Sequence, residues 1–377
     1  MLSAAPGRGC FSPANLIRLG SKLRIGTLGA RRGRAIERVD TGKVMTPPNR
    51  LKAFLFTVLS FVVALTLSFM AAEGIVRLKN ASMKDYNTEM WRYARELKFP
   101  SSDQRLGHEH VANAHAVLQS VDIRTNAWGL RGGPVSDAPA AGTRRILVLG
   151  SSIALGWGVD ENKVVSSLLQ KKFAASGQNV EVLNGGIGNY NAERYIERFL
   201  TRLVPLQPTD LLILTFVRDG EELTQGGGNF LLRNSQLAVT AWTAINRVVV
   251  KSGEASLVDH YRQIYAPGSP ALALMKAEFA KLATYARQHG IRVTMAMVPD
   301  IHSVTNYPLG FVHAIFAQTA HENGFAYIDL LPTFQDLTPE EIWAMPGDPH
   351  PNARGHALMA DAIYGVLVQA RETDGTH

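Results

Sequence analysis

The sequence predicts an α/β protein: a flavodoxin-like three-layer α/β/α sandwich around a five-stranded parallel sheet, preceded by one transmembrane helix. Three observations carry this expectation. Short, wholly apolar runs alternate with helix-length segments between residues 144 and 371, and strands apolar on both faces belong in a parallel sheet covered on both sides. A chain of 377 residues, 46% hydrophobic and 19% charged, is long enough for one large domain plus appendages, and its composition excludes wholesale disorder. Residues 53–72 (AFLFTVLSFVVALTLSFMAA) lack any charge, Gly or Pro, and twenty residues rising about 1.5 Å each cross a ~30 Å hydrocarbon core.

Positive charge clusters ahead of that helix. Of the 39 basic and 32 acidic residues, eleven and two fall in residues 1–52, which leaves 28 and 30 in the rest. The net +7 therefore belongs to the tail, and the folded part has no excess with which to neutralise phosphates, which excludes nucleic acid as a partner. The positive-inside rule puts the N-terminus in the cytoplasm and everything after Glu73 across the inner membrane, in the periplasm or outside the cell. A run this long, without an A-x-A site before Glu73, argues for a retained anchor over a cleaved signal. Residues 1–44 read either as a basic arm or as a mis-assigned start ahead of Met45, where MTPPNRLK leads into the span. One cysteine, Cys10, permits neither an internal disulfide nor a thiolate metal cluster.

The organisation that follows is a basic tail (1–52), a transmembrane helix (53–75), a stalk and lead-in segment (76–143), and a main domain (144–371) with an insertion at 220–268. Residues 74–98 place Lys84, Tyr86, Trp91 and Tyr93 at helical spacing before Pro100, as a juxtamembrane spacer. His108, His110 and His115 have no carboxylates at matching intervals beyond Glu109, so they read as a solvated surface and not as a metal site. Residues 134–142 (PVSDAPAAG) form a linker. Strands are expected at 145–150, 180–184, 211–217, 291–298 and 325–329, and helices at 164–173, 192–203, 271–289, 311–323 and 353–371. About fifty residues between Asp219 and Gly268 are too long for an ordinary α/β loop and predict a helical insertion roofing the site.

Ligands of such a sheet bind beyond the C-terminal ends of its strands, so the polar residues there matter most. The first strand runs into Gly150, Ser151 and Ser152, then Gly156, Trp157 and Gly158. The phosphate-binding and dinucleotide patterns are absent, and G-x-S-x-G fails at Ala154. Ser152 nonetheless presents its hydroxyl at the catalytic edge. Before the last helix stand Gly347, Asp348, Pro349, His350, Pro351 and Asn352. A carboxylate two residues before a histidine is placed to hold the imidazole by its Nδ1 hydrogen and leave Nε2 for a serine proton. On these residues alone an ordinary helix N-terminus with an exposed His350 is an equal reading.

Together these segments resemble the SGNH/GDSL hydrolase superfamily from about residue 125 to 370. Thr125, Asn126, Gly129 and Arg131 match its T-N-x-x-G-x-R segment. Residues 148–159 match V-L-G-D-S-x-x-x-G-W-G-V, with Ser151 in place of Asp. Asn184, Gly186, Tyr190 and Asn191 match the second block, whose oxyanion glycine falls on Asn189. Asp348, His350, Pro351, Asn352, Gly355 and His356 match the fifth, while the third block has Arg218 where Asn is expected.

The resemblance implies a serine esterase or O-acyltransferase without metal or organic cofactor. Ser152 would be the nucleophile, His350 the base and Asp348 its orienting carboxylate, with Ser152, Asn189 and Arg218 forming the oxyanion hole. Its substrates would be acyl esters, with acetyl groups of envelope or exported polysaccharide as one class and acyl lipids as another. Arg218 opens a rival: a catalytically impaired domain that binds carbohydrate or scaffolds an envelope complex. Its guanidinium either stabilises an oxyanion by charge or fills the pocket. Asp300 and His302 repeat the D-x-H spacing at another strand end without a family motif. His313, His321 and His356 read as structural or surface groups on helices, Trp157 as core, and Tyr190 as flanking the site.

Overall fold

Helix α1 (Arg50–Asn80) continues without a break through the apolar run and eight residues beyond it. Its 31 residues are long and apolar enough to cross a membrane, and none of its most apolar window is buried. The computed structural model describes residues 49–223, 230–249, 254–345 and 350–374. Nearly all of the basic tail, and Asp348, lie outside the described residues. The chain divides into two compact units, Met1–Ser60 and Phe61–His377.

Helix α2 (Tyr86–Glu96) starts at Asp85, whose side chain accepts a hydrogen bond from the Thr88 amide at 2.8 Å. The sequence reading of this stretch as a spacer is corrected here. Tyr93 and Leu97 are fully buried in a small core with Leu118, Ile123, Leu155 and Trp157. Two short hairpins complete that core: β1 (Lys98–Pro100) with β2 (His108–His110), and β3 (His115–Leu118) with β4 (Val121–Arg124). The solvated-surface expectation also fails for His110, which is 4% exposed and bonded to Tyr93 Oη (2.6 Å) and the Gly129 carbonyl (2.9 Å). Its strand turns alternate residues toward the domain, so spacing within the motif said little about solvent. Burial pushes the His108 imidazole down to about 3, so it is neutral at physiological pH. No metal-holding cluster of His, Cys, Asp or Glu occurs among the described residues.

The sheet follows the expected order of elements: β5 (Arg144–Gly150), helices α3 (Ser152–Leu155) and α4 (Val165–Ala175), β6 (Val180–Asn184), α5 (Ala192–Arg198), then β7 (Asp210–Thr215). The insertion carries α6 (Phe230–Asn234), α7 (Gln236–Val249) and α8 (Glu254–Ile264). After it come α9 (Pro270–Gln288), β8 (Arg292–Met297), α10 (Gly310–Asn323), β9 (Ala326–Asp329), the short α11 (Leu331–Phe334) and α12 (Pro339–Ile342), and α13 (Ala353–Asp374). The strands lie in the order β6-β5-β7-β8-β9, all parallel. Helix α4 packs with α13, and α5 and α10 with α9, covering the two faces of the sheet. All six residues of β7 are buried, as a central strand between two helical layers requires.

The chain leaves β5 for β6 on one side and returns past it to β7 on the other. That reversal opens a crevice at the carboxyl ends of these strands. Ser152, Asn189 and Arg218 each follow one of the three.

Candidate active site

The turn after β5 is built so that Ser152 has little freedom. Gly150 has φ +146°, and a Cβ there would stand 2.7 Å from the Leu214 carbonyl oxygen, so only glycine lets β5 and β7 approach so closely. Gly156 and Trp157 amides both donate to the Ser152 carbonyl, at 3.0 and 3.1 Å. The lead-in motif explains itself here. Buried Arg131 sends Nη1 to the carbonyls of Leu155 and Gly156 and Nη2 to that of Val159, all at 2.7 Å. Asn184 adds a bond from Nδ2 to the Ala154 carbonyl at 2.9 Å. One guanidinium and one amide thus clamp the turn that displays the serine.

Asn189 follows β6 at φ +64°, in the left-handed region that asparagine tolerates better than other residues bearing a Cβ. This accounts for asparagine at a position where the resembled family has glycine. The carbonyl of the preceding Gly188 accepts from Lys98 Nζ (2.8 Å), and its amide donates to Tyr93 Oη (2.9 Å). Burial, with Arg194 nearby, pulls the Lys98 ammonium down to about 7.

Arg218 sits on the tight turn after β7, and its placement qualifies the sequence expectation. Its Nε donates to Glu221 at 2.9 Å, its side chain is 52% exposed, and it still lines the cavity that holds Ser152. Burial alone would lower its pKa, but the Glu221 carboxylate outweighs that and raises it, so the group stays cationic. Asp219 turns inward: its Oδ2 accepts from the Phe216 amide (3.1 Å) and Tyr195 Oη (2.9 Å). Its Oδ1 is buried with no partner, and burial pushes the carboxyl up to about 7.

His350 arrives from the opposite side of the crevice. Its carbonyl accepts from the Ala344 amide at 2.8 Å, and Pro351 bridges Trp343, which fixes the loop just ahead of α13. Asn352 caps that helix through Oδ1, which accepts from the Gly355 amide at 3.0 Å. The imidazole is 6% exposed and stacks on Tyr86 at 6.0 Å between ring centroids. Its Nε2 lies 2.7 Å from Ser152 Oγ. Two residues 198 positions apart are thereby brought into direct hydrogen-bond contact. The arrangement can move a proton from the serine hydroxyl to the ring as the oxygen attacks an electrophile.

The remaining histidines fall elsewhere. His302 Nδ1 pairs with Asp300 Oδ1 at 2.6 Å, and His313 Nδ1 with Asp329 at 2.8 Å. His356 is buried and accepts from the Val165 amide through Nδ1 (3.2 Å), and burial lowers it to about 3. Trp157 is fully buried, as read from the sequence. The cavity around Ser152 and His350 measures about 80 Å³. Tyr86 and Met90 of α2 form part of its wall, and sequence reasoning missed both. The signal was present: Tyr86, Met90, Tyr93 and Leu97 recur at intervals of three and four, one stripe of a helix.

Comparison with known proteins gives three kinds of result. No curated protein sequence matches the chain. Among solved structures, the chain is similar to a psychrotrophic esterase, EstA, from Pseudoalteromonas sp. (17% identity, 61% of this chain and 99% of that one, TM-score 0.38). It is also similar to an acetyl xylan esterase (14%, 59% and 98%, TM-score 0.38) and to a two-domain esterase active on acetylated mannans (16%, 62% and 51%, TM-score 0.41). The family described as GDSL-like Lipase/Acylhydrolase matches residues 148–358, more than half of the chain and the carboxyl ends of all five strands of the parallel sheet. The chain therefore belongs to the GDSL-like lipase/acylhydrolase family, within the SGNH hydrolase superfamily.

Proposed function

We propose that the protein is a membrane-anchored serine esterase or O-acyltransferase acting on acyl esters, with acetyl groups of envelope or exported polysaccharide as the favoured substrate class. The observation that carries this reading is the 2.7 Å contact between Ser152 Oγ and His350 Nε2 inside a cavity at the sheet's switch point. Ser152 Oγ attacks the acyl carbonyl while His350 Nε2 takes its proton, and Asp348 steadies the resulting imidazolium. The backbone N–H groups of Ser152 and Asn189 hold the oxyanion, with the Arg218 cation at the edge of the pocket. His350 returns the proton to the departing alcohol oxygen, leaving an acyl-serine. Water or a second alcohol then gives its proton to His350 and takes the acyl group, and His350 passes that proton to the departing Ser152 Oγ, which regenerates the serine.

In this reading α1 spans the inner membrane with its basic N-terminus in the cytoplasm, and the hydrolase domain faces the periplasm or cell exterior. A second reading, a catalytically impaired domain that binds carbohydrate, is favoured by Arg218 at the position of the family's asparagine. A fluorophosphonate probe separates the two. It is expected to label the protein and to leave Ser152→Ala unlabelled. A folded wild-type protein that stays unlabelled would transfer the case to the second reading.

A further inference from the structure

We propose that α6 and α7 seat an exposed apolar face in the headgroup layer of the bilayer that α1 crosses, so that α2, a wall of the Ser152 cavity, is held close to the membrane surface. The proposal rests on the anchoring reading above. Ala238, Ala241, Trp242 and Ile245 recur at i, i+3, i+4 and i+7, which puts them on one face of α7. Val239 is buried, and α7 packs against α2. Trp242 and Ile245 instead stand 54% and 62% exposed, joined on α6 by Phe230 at 77%. A helix packed against the domain on one side and bare on the other, with tryptophan on the bare side, presents an apolar surface of the kind that sits at a membrane interface.

What identifies the occupant as lipid is where this face is tethered. Glu73 directly follows the apolar run, and its carboxylate accepts from Ser235 Oγ (2.8 Å) and from the amides of Gln236 (3.0 Å) and Leu237 (2.9 Å). Asn80 Nδ2 adds a bond to Gln236 Oε1 at 3.2 Å. The first turn of α7 is thus fixed where α1 leaves the hydrocarbon. Trp242 lies six residues further, within about 9 Å of that anchored turn along the helix. The link inward is short: Trp91 Nε1 of α2 donates to the Leu232 carbonyl at 2.6 Å, next to Met90 and five residues from Tyr86 in the same helix.

The test uses the full chain, with Cys10→Ser to leave a single introduced thiol. Ile245→Cys carries a fluorophore, and Arg287→Cys, exposed on α9, carries the same dye as a control. Both are reconstituted in phosphatidylcholine vesicles with and without bromine on the upper acyl carbons. Quenching of about twofold at position 245 and none at 287 is expected. Equal emission of the 245 label in brominated and plain vesicles, with the protein resistant to alkaline carbonate extraction, overturns the proposal and leaves the anchor standing. Extraction by carbonate overturns the anchor and the proposal with it. A 245 label shielded only as protein density in the vesicles rises assigns the face to a second copy, and equal quenching at both positions marks non-specific adsorption. Either result also overturns it.

Discussion

Removing Arg131 should loosen the serine turn without touching the site itself. The guanidinium donates three bonds of 2.7 Å to the carbonyls of Leu155, Gly156 and Val159, and a longer one of 3.3 Å to Asp122. Each orphaned buried carbonyl costs ~1–3 kcal/mol, so the three short bonds bound the gross loss for Arg131→Ala at roughly 3–9 kcal/mol. Two effects reduce it. A buried charge is itself costly, and burial pulls Arg131 down to about 10 even with Glu161 nearby. A cavity of about 820 Å³ on its other side, lined by Gly132, Asp160 and Glu161, lets water reach the abandoned carbonyls. The net expectation is about 2–4 kcal/mol, a large share of a typical 5–15 kcal/mol total. Urea unfolding in detergent reads this loss, and the rate of fluorophosphonate labelling should fall at least ~10-fold under conditions where both proteins remain folded. Arg131→Lys, a point donor that cannot reach three carbonyls, should recover only part of either quantity. Arg131→Ala within ~0.5 kcal/mol of the parent, labelled at the parental rate, would refute the clamp.

Asn189→Gly should melt within ~1 kcal/mol of the parent, because φ +64° suits glycine, while Asn189→Val should lose ~1–3 kcal/mol; equal melts for both variants would sink the argument. Arg218→Ala should leave stability within ~1 kcal/mol, since its pair with Glu221 is half exposed, yet slow acyl turnover by roughly 10- to 100-fold. Unchanged turnover in both Arg218→Ala and Arg218→Asn removes the guanidinium from the oxyanion hole. For Asp219 the folded carboxyl is raised from 3.8 to about 7, so the folded state holds the extra proton between those values. Its contribution is present below about pH 4 and lost as pH rises through about 7. Asp219→Asn should therefore gain on the parent in Tm between about pH 5 and pH 8, and a gap that stays constant contradicts the assignment.

The sheet was legible because its strands are largely apolar on both faces and four of the five end in Gly150, Asn184, Thr215 and Asp329; β5, β6 and β8 lie within a residue of their expected limits. The hairpins β1 to β4 escaped, since three or four residues are too few to show alternation. Helix α2 was misread as a spacer for a different reason. Glu89, Arg92 and Arg95 give it the look of a solvated helix, but Glu89 is fully buried, accepting from the Gln119 amide at 2.7 Å and pairing with Arg92. Charges that are satisfied internally imitate surface in a sequence. Part of the site was legible only as positions: Ser152 and His350 were named from motifs, while their contact depends on how α13 and its loop close over β5.

Arg218 shows the limit most clearly. Residue type and strand-end position predicted a charge beside the serine, which is where the turn after β7 carries it. Its direction depends on Glu221, three residues on, and Glu221 is in turn held by Tyr261 Oη at 3.0 Å from the insertion. The orientation of one wall of the Ser152 cavity is therefore set by a helix of the fifty-residue insertion. Reading the third block alone cannot supply that dependence. It also follows that Tyr261→Phe should free the Glu221 carboxylate to move, and the arginine with it, so a change in insertion packing reaches the Ser152 cavity through two side chains.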